Sequence, residues 1–317
     1  MRARLIATLT AAILMITACG GESTAGESAG GKDQVTLGLI PILDVAPIHL
    51  GVTKGFFEEE GIELKIENAA GGAALVPAVV SGNFDFAFSN ATSLIIAKSK
   101  GLPLKMVSPG ASSTGIPGKD FGAIVVGKNS TIGSVKDLAG ATVAINTLNN
   151  INDTLIRDAV AKAGGDPAAI RFVEIPHADM PAALASKQVD AIWEVEPFLT
   201  LVQKDGARAI YSLYAEATKD LTVAVYFTSD EIAQKNPDLV KRFDNAVKKS
   251  LTYATEHPEE ARSAVTGYTK IDPAILPDLT LPAWPSTINR ASIEFQAELA
   301  QRYKLIDNEV NLASLLP

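Results

Sequence analysis

The sequence predicts an α/β fold built from two strand–helix runs and a helical final third. Three observations carry this expectation. Short apolar runs alternate with helical periods from Gln34 onward, a rhythm that produces βαβ units and a mostly parallel sheet. A turn-rich passage, SPGASSTGIPGKD at 108–120, divides the rhythm in two. Beyond Phe227 the pattern becomes amphipathic helix, with Leu239, Phe243, Val247, Leu251 and Ala254 at helical spacing.

In the first run, 35–40 reads as a strand and 46–60 as one helix closed by Gly61. The alternating 63–66 is a strand, 73–81 a helix, 84–88 a strand, 92–100 a helix ended by Gly101, and 104–107 a strand. The second run opens with a strand at 122–126. Ser134 and Asp137 then form a capping-box-like helix start, with Asp in place of the usual Glu. A strand at 142–145 precedes a helix capped by Asn152 or Asp153 and closed at Gly164-Gly165. Strands at 171–174 and 189–193 alternate with helices at 180–186 and 196–204, and 222–227 is a further strand. The stretch 229–303 is mostly helical. The simplest arrangement crosses to a second lobe near 121 and returns near 224. Residues 34–120 plus 224–317 then make lobe one, completed by the C-terminal helices, and 121–223 make lobe two. Two crossings form a two-strand hinge with a cleft between the lobes, where small-molecule sites concentrate.

With 317 residues, 47% of them hydrophobic, the chain can bury a large core, so wholesale disorder is excluded. The net charge of −8 lacks the basic stripe that a phosphate backbone requires, so no nucleic-acid partner is expected. The single cysteine, Cys19, permits no internal disulfide and no thiolate cluster.

The N-terminus reads as an address. Arg2 and Arg4 precede twelve uncharged residues, 5–16, too short a stretch to span about 30 Å of hydrocarbon as a helix but of the length of a signal-peptide core. Ile16-Thr17-Ala18-Cys19 resembles a bacterial lipobox. That resemblance implies cleavage after residue 18 and lipidation of Cys19. Several acyl chains would hold the protein on a membrane where one does so only marginally. Residues 19–33 carry the lipidated cysteine and then GGESTAGESAGGKD, a flexible tether. The expected location is therefore the extracytoplasmic face of the cell membrane, lipid-anchored.

Four stretches carry a family resemblance. The first, 46–57 (APIHLGVTKGFF), runs on to Glu60-Gly61-Ile62. The second joins Phe121-Gly122-Ala123-Ile124-Val125-Val126 to 132–144. The third is Gly164-Gly165-Asp166-Pro167 with Ala182-Ala183-Leu184 and Val189-Asp190-Ala191, and the fourth is Trp193-Glu194-Val195-Glu196-Pro197-Phe198. Together they resemble the SsuA/THI5-like and NMT1-like solute-binding proteins that serve ABC importers of nitrate, sulfonates, taurine and thiamine pyrimidine precursors. The resemblance covers about residues 34–310. It implies a type II periplasmic-binding fold, a hinge closing two lobes on one small ligand, an ABC permease as membrane partner, a monomer, and no enzymatic activity or cofactor. Val195 and His49 depart from the residues common at those positions.

Ligand contacts are expected from the loops that follow strands and from the helix starts they feed. In lobe one these are Asp44, Ser89, Asn90 and Thr92; in lobe two, Thr147, Asn150, Asp153, Glu194 and Glu196. Ser89, Asn90 and Thr92 could equally be helix caps, Asn150 a turn former, Glu196 a cap of its own helix, and Asp44 a solvated side chain. Trp193 reads as core or as a stacking platform. These loops carry acids and no Arg or Lys, which favours a neutral or cationic nitrogenous ligand over an oxyanion. Glycosidase chemistry needs carboxylates facing each other across a substrate, which Glu194 and Glu196 at one strand end do not offer. His49, His177 and His257 are too dispersed to form a metal-ligand pair, so no metal is expected. A pyrimidine-synthase-like enzyme on the same fold is the competing reading; it needs a cytosolic chain and a cleft lysine.

Overall fold

The computed structural model describes residues 32–317, so the signal segment, Cys19 and nearly all of the tether lie outside the described residues. The first run comprises β1 (Asp33–Leu39), α1 (Ala46–Thr53), α2 (Phe56–Glu59), β2 (Ile62–Asn68), α3 (Gly72–Val80), β3 (Phe86–Asn90), α4 (Ala91–Ser99) and β4 (Leu104–Pro109). The second comprises β5 (Gly122–Val126), β6 (Thr142–Ile145), α5 (Ile151–Lys162), β7 (Arg171–Glu174), α6 (Met180–Ala185), β8 (Ala191–Val195), α7 (Phe198–Lys204), β9 (Arg208–Tyr211) and α8 (Leu213–Ala217). Then follow β10 (Ala224–Ser229), α9 (Asp230–Lys235), α10 (Pro237–Glu256), α11 (Pro258–Ala264), α12 (Arg290–Arg302) and α13 (Leu312–Leu315).

The strands form two five-stranded sheets, β2-β1-β3-β10-β4 and β7-β6-β8-β5-β9. Both are mixed rather than mostly parallel. Within the first, β10 returns antiparallel between β3 and β4; within the second, β5 runs antiparallel to β8 and β9. The central strands β5 and β8 are buried at every position, as strands covered on both faces must be, which is why their sequences are apolar except for Glu194 of β8. On α10 the buried Phe243, Ala246, Val247, Ser250, Leu251 and Ala254 form one stripe. That stripe stacks Phe243 on Phe86 at 3.9 Å and lets Gly51 of α1 approach Ser250 so closely that a Cβ would clash with its hydroxyl. The last long helix, α12, packs on α4 and also reaches α5 beside the second sheet.

Three of the departures from expectation have a local cause. The single helix expected over 46–60 is broken at Gly55, whose φ of +79° ends α1 and starts α2. The stretch 265–289 is not helical beyond two short 3-10 turns, because Pro273, Pro277, Pro282 and Pro285 interrupt it. Asn150, not Asn152 or Asp153, caps α5, its side chain accepting the N–H groups of both. Outside the two sheets, Ser112 makes antiparallel bridges with both Thr222 and Ala283, so three segments run side by side there.

Candidate functional site

The 3-10 turn Leu43–Val45 follows the carboxyl end of β1 and carries Asp44 inward. Asp44 is only 2% exposed; its carbonyl accepts the Trp284 indole N–H at 3.1 Å, and its Oδ1 has no partner. Burial pushes its carboxyl up to about 7, while its own backbone N–H and the charge of His177 pull the other way. From the second sheet, Glu194 near the end of β8 is fully buried. Its Oε1 lies 2.6 Å from His177 Nδ1 and accepts the Val195 N–H at 3.0 Å, while Oε2 has no partner. Burial raises the Glu194 carboxyl above its ordinary value against the opposing charge of His177. The segments that follow β1 and β8 are joined here: the Leu43 N–H donates to the Glu196 carbonyl at 3.0 Å.

Tyrosines from several elements lie close to Asp44. Tyr226 and Ser108 stand opposite each other in the β10–β4 register, both buried, with both hydroxyls unpartnered. Tyr226 and Tyr214 each have a phenol raised by burial and then by the proximity of Asp44. The Tyr214 hydroxyl donates to Asn152 Oδ1 at 3.0 Å, and its ring meets that of Trp193 edge-on at 4.6 Å. Tyr268 donates to the Ile42 carbonyl. A buried polar atom left unpaired costs about 1–3 kcal/mol, and native proteins tolerate few of them. Asp44 Oδ1, Glu194 Oε2, Ser108 Oγ and the Tyr226 hydroxyl are four, contributed by both sheets. Such a constellation suits a polar molecule that supplies hydrogen-bond donors and stacks on phenol or indole rings. Among the described residues no group of three His, Cys, Asp or Glu side chains is placed to hold a metal ion.

The remaining residues expected at the site are placed as follows. Glu196 is buried but turned away: it accepts the Thr200 N–H (3.0 Å), the Thr200 hydroxyl (2.8 Å) and the Thr280 N–H (3.1 Å), and so caps α7. Strand alternation would put Glu194 and Glu196 on one face. They part because the strand ends at Val195. Burial pushes Glu196 up to about 7. Asn90 caps α4 through the Ser93 N–H, and Thr92 donates to Gln296 at 2.9 Å. Ser89 has a free buried hydroxyl but alternates with Phe88, so it faces the start of α3 at Gly72. Asp153 is paired with Arg157 on the next turn at 2.6 Å, and burial raises its carboxyl despite that partner. Asn150 holds the α5 start and also donates to Asn146. Thr147 is half-buried against Gly71, across from the first sheet. Asp44 does not point to solvent, and Trp193 is fully buried.

His177, Ser108, Tyr226 and Tyr214 are absent from the sequence-based expectation. His177 and Ser108 obey the rule that found Asp44, since one follows β7 and the other closes β4. Tyr226 lies inside a strand and gives no such signal.

The chain is similar to several known proteins. It is 26% identical over 309 residues to the riboflavin-binding protein RibY of Chloroflexus aurantiacus, covering 92% of this chain and 85% of that one. It is 26% identical over 219 residues to the 4-amino-5-hydroxymethyl-2-methylpyrimidine phosphate synthase of Legionella pneumophila, covering 68% and 66%. Its fold matches the alkanesulfonate-binding protein SsuA from Xanthomonas axonopodis pv. citri bound to MOPS with a TM-score of 0.77, at 19% identity over 91% of this chain and 99% of that one. That match fits the periplasmic-binding architecture expected from the sequence. The NMT1/THI5-like family model matches residues 43–261, more than half of the chain, and the protein belongs to that family.

Proposed function

We propose that the protein is an extracytoplasmic solute-binding protein of an ABC-type importer that takes up a small nitrogenous molecule between its two sheets. Residues 34–120 plus 224–317 act as one lobe and 121–223 as the other, and the ligand is handed to a membrane permease. The carrying observation is the pair of enclosed carboxylates, Asp44 and Glu194, whose Oδ1 and Oε2 have no partner in the protein. A ligand N–H would satisfy each, and a charge-assisted bond is worth roughly 1.5–3 kcal/mol. Tyr226, Ser108 and Tyr214 complete the pocket wall. Of the residues expected to touch ligand, Ser89, Asn90, Thr92, Thr147, Asn150, Asp153 and Glu196 serve chiefly to hold the helix starts and the wall. The printed names of RibY and of the pyrimidine phosphate synthase, both concerned with flat nitrogen heterocycles, support the same chemistry.

A sulfonate or nitrate is the second reading, favoured by the fold match to the alkanesulfonate-binding protein. The basic group felt by both Asp44 and Glu194 is His177, shared between two acids, which argues against an anion. An enzyme of the synthase type would need a lysine at this point, and the group around Asp44 and Glu194 is built from acids, hydroxyls, aromatics and one histidine. Lipidation at Cys19, anchorage on the outer face of the membrane and a monomeric state complete the proposal.

The test is a thermal-shift screen of the purified protein against amines, pyrimidines, riboflavin, sulfonates and nitrate. A ligand at 100 times its Kd adds about 2.7 kcal/mol. Stabilisation by nitrogen heterocycles or amines, without turnover, supports the reading; stabilisation by oxyanions alone replaces it with the second.

A further inference from the structure

The contact between His177 and Glu194 engages one carboxyl oxygen and leaves the other bare. Both side chains are buried, at 6% and 0% exposure. Oε1 is doubly engaged, by His177 Nδ1 at 2.6 Å and by the Val195 N–H at 3.0 Å. Oε2 is enclosed and bare. With Nδ1 donating to Oε1 and the carboxylate ionised, Oε2 can only accept.

Resting on the binding site proposed above, we propose that His177 is a specificity-determining positioning residue: by occupying Oε1 it keeps Oε2 an acceptor and selects ligands presenting N–H there over isosteres presenting a carbonyl oxygen. Apart from His177, the charged groups acting on Asp44, Glu194 and Glu196 are acids. Asp44 comes from the turn after β1, Asp120 from the crossover before β5, and Glu196 from the end of β8. Without His177 these acids favour a proton on Glu194. The proton is then free to sit on Oε2, turning the acceptor into a donor and reversing the preference.

The experiment uses the purified full-length protein and four forms: unaltered, His177→Phe, His177→Gln, and His177→Phe combined with Glu194→Gln. Cytosine and uracil are the probes, because they present an amino group and a carbonyl oxygen at the same ring position. Calorimetry is expected to show cytosine preferred by the unaltered protein, a loss of about ten-fold or more for cytosine in His177→Phe with uracil unchanged or improved, and retention in His177→Gln, whose amide can still donate to Oε1. Infrared spectroscopy supplies a readout independent of any ligand: His177→Phe gains a neutral-carboxyl band that disappears in the double variant. An unchanged cytosine-to-uracil ratio in His177→Phe overturns the proposal, as does the absence of the new band. If neither probe binds the unaltered protein, the pyrimidine form of the site reading fails, and the infrared result alone decides the role of His177.

Discussion

Arg302 at the last turn of α12 donates to Asp158 of α5 at 2.9 Å, and the Tyr303 hydroxyl joins the same oxygen at 3.3 Å. This ties a helix rooted in the first sheet's core, through Ile293 and Ala300, to a helix flanking the second sheet. Asp158 is nearly buried, whereas Arg302 is about half exposed, so solvent screening reduces what the pair contributes. Arg302→Ala should cost about 0.5–1 kcal/mol of stability and raise the radius of gyration of the ligand-free protein in small-angle scattering. An unchanged scattering profile would show that the pair does not hold the two sheets' helices together.

Asp44 makes stability depend on pH in an unusual direction. Its folded carboxyl titrates at about 7 and its unfolded one near 3.8. Between those values the folded protein keeps a proton that the unfolded chain has lost. The stabilisation is therefore complete below the unfolded value and disappears as pH rises through about 7. Glu196, also pushed up to about 7, acts in the same sense. Each unit of separation corresponds to about 1.4 kcal/mol. Denaturant midpoints of the ligand-free protein should fall from about pH 5 to pH 8, and Asp44→Asn should flatten the slope. A midpoint that rises over this interval would mean that both carboxyls are ionised in the folded state.

A cationic ligand reverses that trend in binding. Its affinity should increase as pH rises through about 7, because the charge it meets on Asp44 is then present. Asp44→Asn should weaken it by about ten-fold and remove the pH dependence. Titration calorimetry at three pH values is sufficient, and an affinity that falls across this range would point to an anion.

Gly71 is extended at φ −166°, so any residue fits its backbone; what excludes a side chain is Thr147 across the gap. Gly71→Ala should leave the fold intact and weaken ligand binding several-fold, because its Cβ would meet the threonine hydroxyl. Combining it with Thr147→Ala removes that obstacle and should restore binding. Failure of the double variant to recover would place the fault elsewhere.

Gly55 offers the opposite case. It has open space around it and a φ of +79°, so Gly55→Ala should cost about 1 kcal/mol from backbone conformation alone, and Gly55→Asn less. A thermal melt distinguishes these from the unaltered protein.

The parts of this architecture that were readable are those where local pattern and burial coincide. The runs 122–126 and 142–145 become strands at the expected residues because their apolar continuity comes from a sheet covered by helices, whereas 171–174 does so as a largely exposed edge strand. β9, the edge strand opposite β7, is not expected from the sequence because its apolar run, Ala209-Ile210-Tyr211, is short and its residues are exposed or half-buried. The break at Gly55 is masked in the sequence because apolar residues continue across it, from Leu50 and Val52 to Phe56 and Phe57. For the site, position after a strand pointed to Asp44 and Glu194, whose burial only the fold reveals. His177 reaches Glu194 from 17 residues away, and Tyr226 meets Ser108 through a strand pairing that no local period encodes.

Ser112 is held on one side by Thr222 and on the other by Ala283, immediately before Trp284, whose indole holds the carbonyl of Asp44. A displacement of any of these three segments is therefore passed through Trp284 to the turn that carries Asp44, so the pairing at Ser112 and the placement of that carboxyl form one linkage.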